Sequence, residues 1–273
     1  MKNFFAPWRL GVKQIRNSNY AMNIIEIDNL EHRFDDGTRG LDNINLTIQA
    51  EDFILIGGPN GSGKTTLLKH FNGLLLPDNG SVRLDGIQVS QNLAKARQMV
   101  GMVFQDAENQ IIGETVYDDV AFGPENLCLD RTEIKHRVAK ALQVVGLEDL
   151  ARQKPHLLSG GEKRRLAIAG VLAMQPKVLV FDEPFSNLDY PGIKQILNQI
   201  LTLHQSGHTI VIAAHDLEMV IEHANRLVIM QAGKIIKDGL PIELVNELET
   251  FGIRVPCQYR IKEANVQWRS GHD

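Results

Sequence analysis

Short apolar runs alternate along this chain with segments whose apolar positions recur at helical spacing. Phe53 to Gly57 is followed by Lys64 to Phe71, Val178 to Asp182 by Ile193 to His204, and Thr209 to Ala213 by Asp216 to His223. Apolar runs without alternation suit strands covered on both faces, and their regular exchange with helices predicts an α/β fold around a parallel sheet. Met22-Asn23-Ile24-Ile25-Glu26-Ile27 predicts a first strand. The rhythm breaks between Val103 and Ser159, where the pattern is mostly helical. Within it, Asp130-Arg131-Thr132-Glu133 reads as an N-cap followed three positions later by glutamate, opening a helix to Val145. A helical subdomain at about 106–165 is therefore expected to interrupt the α/β layer. The pattern fades after Asn246. The expected organisation is an extension over residues 1–21, one domain over 22–246 and a tail over 247–273.

Composition narrows this picture. With 273 residues, 43% of them hydrophobic, the chain can bury a large core and stands near the upper limit for one undivided domain. No apolar run approaches the ~20 residues that span a bilayer. The net charge of −4, with acids and bases interspersed, argues against a nucleic-acid binder that works by neutralising phosphates. Two isolated cysteines, Cys128 and Cys257, make neither a disulfide framework nor a zinc site, which fits a reducing cytoplasm. Residues 1–21 carry Lys2, Arg9, Lys13 and Arg16 with no acid and no signal-peptide core. They read as a start codon assigned too early, ahead of Met22, or as a basic segment for a membrane surface.

Three stretches carry candidate chemistry. Gly58-Pro59-Asn60-Gly61-Ser62-Gly63-Lys64-Thr65, followed by Thr66, fits the phosphate-binding pattern G-x-x-x-x-G-K-[ST] and lies between an apolar strand and a helix, as that pattern requires. Its glycines let backbone N–H groups curl around an anion, Lys64 reaches the β- and γ-phosphates, and Thr65 offers a hydroxyl to Mg²⁺. Val178 to Glu183 is a buried-strand pattern ending in two carboxylates, suited to a Mg²⁺ shell at Asp182 and to polarising a water at Glu183. Alone the pair also fits a solvated strand end; the upstream loop favours the Mg²⁺ reading. Leu158-Ser159-Gly160-Gly161-Glu162 opens a helix with a serine cap and glycines that leave its first N–H groups accessible, a second anion site. One nucleotide does not need two such sites from one chain, so this one points to the ATP of another molecule.

Together with Gln105, Ser186-Asn187-Leu188-Asp189 and His215, these motifs resemble, in order, those of ATP-binding-cassette (ABC) ATPases over roughly Ile24 to Leu244. The resemblance implies a P-loop nucleotide-binding domain with a parallel core sheet, an antiparallel β subdomain and an inserted helical subdomain. It implies ATP and Mg²⁺ as ligands, with Phe34 stacking on adenine, Gln105 contacting Mg²⁺ and the attacking water, Asp189 crossing a dimer interface and His215 contacting the γ-phosphate. The stretches Phe104 to Gln110 and Thr115 to Leu127 resemble the energy-coupling-factor importers of vitamins or of cobalt and nickel ions. Those imply a transmembrane coupling subunit, a membrane substrate-binding subunit and a second cassette, identical or closely related, at the cytoplasmic face of the membrane. An importer of amino acids or inorganic ions is the nearer alternative. Soluble cassettes of DNA repair, chromosome maintenance or translation fit less well, because the chain has neither heptad-patterned coiled coils nor two cassettes. Residues 98–130 hold acids but no lysine or arginine, and Glu108, Asp118 and Asp119 are the expected contacts for a basic membrane partner.

Overall fold

The computed structural model describes residues 22–260; the segments 1–21 and 261–273 lie outside the described residues. Along the chain, β1 (Asn23–Arg33) and β2 (Arg39–Gln49) pair as a hairpin, and β3 (Phe53–Gly57) leads through the glycine-rich loop into α1 (Lys64–Phe71). β4 (Asn79–Leu84) and β5 (Ile87–Gln88) return to the hairpin, giving a four-stranded antiparallel sheet in the order β2-β1-β4-β5. After α2 (Leu93–Met99) and β6 (Val100–Val103) come three helices, α3 (Val116–Asn126), α4 (Arg131–Val145) and α5 (Gly160–Leu172). Then follow β7 (Val178–Asp182), α6 (Tyr190–Gln205), β8 (Thr209–Ala214), β9 (Arg226–Gln231) and β10 (Lys234–Gly239). The second sheet has the order β10-β9-β3-β8-β7-β6; its neighbours pair in parallel except β10 with β9.

Every residue of β3, β7 and β8 is buried, the condition expected of a parallel sheet packed on both faces. Alternation within β3 divides the interior. Phe53 and Leu55 join the core built with α3, α4, α5 and α6, whereas Ile54 and Ile56 join the core shared with α1 and the antiparallel sheet. The helical insertion is held by local signals. Thr115 caps α3 and Asp130 caps α4, while Gly146, in the left-handed region at φ 66°, ends α4. Ser159 and Glu162 form a reciprocal capping box at the start of α5.

Two departures from the sequence pattern stand out. Residues 216–223 form turns and one 3₁₀ turn, Ile221–His223, in place of a helix. Leu217, Val220 and Ile221 are buried at helical spacing and the Ile221 N–H reaches the Leu217 carbonyl at 3.0 Å, but the chain is drawn into the sheet within a few residues, where the Asn225 N–H donates to the Phe53 carbonyl and β9 begins at Arg226. Packing also continues past residue 246, because Leu248, Ile253 and Val255 are buried in the larger core. A Cβ on Gly57, the last residue of β3, would meet the Ile253 side chain at 3.4 Å. Both cysteines are free and exposed. Among the described residues no helix is long and apolar enough to cross a membrane.

Candidate active site

The loop between β3 and α1 is shaped by residues that only glycine can supply. Gly63 has φ 100° and precedes α1 without any side-chain cap, so the first turn of the helix keeps its N–H groups for other partners. A Cβ at Gly58 would lie 2.4 Å from the Met230 carbonyl oxygen, so β9 fixes where the loop begins. Lys64 Nζ donates to the carbonyls of Gly58 at 2.7 Å and Pro59 at 3.2 Å and stands 3.8 Å from Glu183 Oε1. Burial pulls this ammonium below its ordinary pKa, against the opposing attraction of Glu183 and Asp182.

Opposite the loop, β7 ends in Asp182 and continues into Glu183, both buried. Thr65 Oγ1 donates to Asp182 Oδ2 at 2.7 Å, while Asp182 Oδ1 is buried with no hydrogen-bond partner. Burial lifts the pKa of Asp182, with the Thr65 hydrogen bond acting the other way. A carboxylate with one oxygen unsatisfied beside a threonine hydroxyl offers hard oxygen donors that fit Mg²⁺, and the nearby ammonium fits the phosphate of a Mg²⁺–phosphate ligand. His215, just past β8, donates from Nδ1 to Glu183 Oε2 at 2.8 Å, which places the ring proton on that nitrogen.

Most of these groups face one cleft of about 630 Å³, although Gly58, Pro59 and Asp182 are not part of its lining. Its walls include Phe34, Asn60, Gly61, Ser62, Gly63, Lys64, Thr65, Thr66, Gln105, Glu183 and His215. Phe34 is 43% exposed at its rim and packs edge-on against His32, a position open to a planar ligand. The chain pattern gave no notice of Thr38, Arg39, Gly40, Ala232 and Gly233, which also line it. Their contribution depends on long-range packing: a Cβ at Gly63 or Gly233 would lie 2.9 or 2.8 Å from the Gly40 carbonyl oxygen, so three backbones meet there.

Ser159, Gly160, Gly161, Glu162 and Asp189 line no part of this cleft. The first two are exposed, and a Cβ built on either Gly160 or Gly161 meets nothing within 4 Å, so the start of α5 is open to approach. Ser159 Oγ is 2.7 Å from Glu162 Oε2, and its hydroxyl and N–H hold Glu162 below the usual carboxylate range. Asp189 caps α6, accepting the N–H of Gly192 at 2.9 Å.

The acidic stretch is not the free docking face its composition suggests. Asp119 is 8% exposed, and its Oδ1 accepts the N–H groups of Ile112 and Gly113, an internal loop brace. Asp118 is engaged with the Thr115 hydroxyl at 2.6 Å, and Glu108 pairs with Lys163 at 2.9 Å. Beside them lies an apolar groove of about 370 Å³ between β6 and the helices α3 and α5, lined by Leu74, Met102, Phe104, Ile112, Phe122 and Met174 among others. Leu74, Ile112 and Phe122 are exposed there.

Comparison with known proteins adds a family to this geometry. The family model described as ABC transporter matches residues 41–186. The chain is 43% identical over 241 residues to an energy-coupling factor transporter ATP-binding protein of Methanocaldococcus jannaschii, covering 86% of each chain. It is 45% identical over 241 residues to the protein of the same description from Methanococcus maripaludis, covering 86% of this chain and 87% of that one. Among solved structures it is similar to cbiO1 of Clostridium perfringens, described as part of the ABC transporter complex cbiONQ, with a TM-score of 0.76 and 39% identity over 84% of this chain and 92% of that one.

Proposed function

The chain belongs to the ABC transporter family as an ATP-binding, ATP-hydrolysing subunit of the energy-coupling-factor type, and from that premise we propose that it works in composite sites shared by two cassettes to drive uptake of a vitamin or of cobalt or nickel ions. The observation that carries the composite site is the separation just described. The cleft is lined by the loop from Asn60 to Thr66 with Gln105, Glu183 and His215, while the exposed start of α5, with Ser159, Gly160 and Gly161, opens elsewhere. One chain therefore offers two different half-sites, and a second copy or a close relative completes both.

In this reading Phe34 stacks on adenine, and the loop from Gly58 to Thr66 with the start of α1 cradles the phosphates. Lys64 exchanges the carbonyls of Gly58 and Pro59 for phosphate oxygens. Thr65, Gln105 and Asp182 would hold Mg²⁺, which would supply positive charge to offset that of the phosphates. Glu183 accepts a proton from the water that attacks the γ-phosphorus as its bond to the bridging oxygen breaks, giving ADP and phosphate. His215 fixes the orientation of Glu183 through their 2.8 Å hydrogen bond and reaches the γ-phosphate. From the opposite subunit, Ser159, Gly160, Gly161 and Glu162 present the helix terminus to the γ-phosphate, and Asp189 lies at the interface.

The membrane partners follow from the same reading. The transmembrane coupling subunit seats an amphipathic helix in the apolar groove, with its substrate-binding companion beside it and the cassette peripheral on the cytoplasmic face. The driving contact is apolar burial, in place of the acidic pairing expected from composition. Phe122, 48% exposed in that groove, offers the test. Phe122→Glu is expected to reduce copurification with the coupling subunit at least tenfold, since burying the new charge opposes docking by more than ~1.4 kcal/mol, while ATP hydrolysis by the free chain stays within twofold. Undiminished copurification would place docking elsewhere. The cargo is tested in vesicles carrying the whole complex: ATP-dependent accumulation of radiolabelled cobalt, nickel or a vitamin supports the proposal. Uptake of an amino acid alone would replace it.

A further inference from the structure

Arg164 lies in the second turn of α5, just ahead of Leu166, Ala167, Ile168 and Ala169, all buried and apolar, and is itself only 6% exposed. A guanidinium keeps its charge at any physiological pH, so in such a place it must find acceptors. It finds backbone. Nη1 donates to the carbonyls of Glu183 at 3.0 Å and Pro184 at 2.5 Å, and Nη2 donates to the carbonyl of Gln105 at 2.8 Å. These carbonyls belong to the two segments whose residues Glu183 and Gln105 line the cleft. Glu183 also has φ 50°, the left-handed region that a glutamate occupies only when its surroundings hold it there. Its N–H is bonded to the Ala213 carbonyl of β8 at 2.9 Å, so β8 and Arg164 hold the peptide groups before and after Glu183.

We propose that Arg164 is a positioning residue for hydrolysis in its own chain's cleft: its fork fixes the backbone of Glu183 against that of Gln105. It touches neither nucleotide nor water, and it acts through the two residues that do. Which half of the dimer it serves rests on the composite-site reading above, and the experiment separates the two claims.

In the full chain, Arg164→Lys supplies one compact ammonium where a planar fork bridged two segments. Its kcat is expected to fall at least tenfold while the KM for ATP stays within twofold, because Lys64 and the glycine loop are untouched. Arg164→Ala should fall further and regain part of its rate in millimolar guanidinium, which a mere packing role would not produce. A kcat within twofold of the parent in Arg164→Lys, or a proportional loss of ATP affinity, would overturn the assignment; should Arg164→Ala not fold, the split between kcat and KM in Arg164→Lys decides.

Mixed dimers then locate the effect. Ser159→Arg chains combined with Lys64→Ala chains test the composite site alone, with Arg164 intact throughout. Adding Arg164→Lys to the Ser159→Arg chain, whose cleft is the working one, should remove at least nine-tenths of the regained activity. Adding it to the Lys64→Ala chain, which lends only its α5 terminus, should leave at least half. The reverse pattern would assign Arg164 to the α5 terminus and sink the proposal.

Discussion

Glu183→Gln is expected to bind ATP about as tightly as the parent chain and to hydrolyse it about 10²–10⁴-fold more slowly, the range typical of losing a general base. The amide keeps the shape of the carboxylate and still accepts the Nδ1 proton of His215 through its oxygen, so the cleft should stand unchanged. What it loses is a site for the proton of the attacking water. Binding without turnover should accumulate the closed pair of cassettes. Phosphate release measures the rate, calorimetry the affinity and light scattering the mass. A variant that hydrolyses at more than a tenth of the parent rate would remove Glu183 from the chemistry, and one that stays monomeric with ATP and Mg²⁺ would remove the closed dimer.

The second large effect is a loss that should be reversible by mixing. Lys64→Ala removes the buried cation of the phosphate loop and is expected to weaken ATP binding by about 1.5–3 kcal/mol, roughly 10- to 150-fold. Ser159→Arg leaves the cleft intact but crowds and charges the exposed start of α5, so it should bind ATP and fail to hydrolyse it. Each chain alone should be nearly inactive. In an equal mixture that assembles at random into two-fold dimers, half the dimers are mixed and each carries one undamaged site, predicting recovery to about a quarter of parental activity. Should the functional dimer pair this chain with a close relative, the same two changes are divided between the partners. Titrating one variant against the other and assaying phosphate release checks the curve; a flat line at the sum of the two backgrounds would refute shared sites.

The parts of this molecule that were legible in its sequence are those whose causes are local. The strand–loop–helix of Phe53 to Phe71, the capping residues Asp130 and Ser159 and the strand ending at Asp182 depend on neighbours within a few positions, and each appears where the pattern puts it. Asp119 shows where this stops. Nothing in its immediate sequence distinguishes it from Asp118, yet it turns inward to brace two N–H groups, because the fold of the 112–113 loop created a buried vacancy for an acceptor. Arg39 and Gly233 were silent for a similar reason, since they reach the cleft only through the antiparallel sheet and the β9–β10 turn. Arg164 did carry a signal: a basic residue at the edge of an apolar helical face. Its three carbonyl partners, on segments 59, 19 and 20 positions away, were invisible without the fold. Leu248, Ile253 and Val255 were missed because a short 3₁₀ turn, Val245–Phe251, and the irregular segment after it carry no sustained period; which of their residues turn inward is set by the core surface they cover.

The place of β3 in the sheet also governs when the molecule can come into being. Its neighbours are β8 and β9, and Asn225, which accepts the N–H of Phe53 through its side chain, lies 172 positions later. At ribosomal rates of about 5–20 residues per second, roughly 10–35 s separate the synthesis of the phosphate loop from that of the strands that flank its root. The antiparallel sheet, closed by nearby segments, can form during that interval; the nucleotide cleft cannot. For most of its birth the nascent chain displays the wholly apolar β3 without a partner on either edge, which makes it a client for chaperones and leaves a shortened translation product more prone to aggregate than to bind ATP.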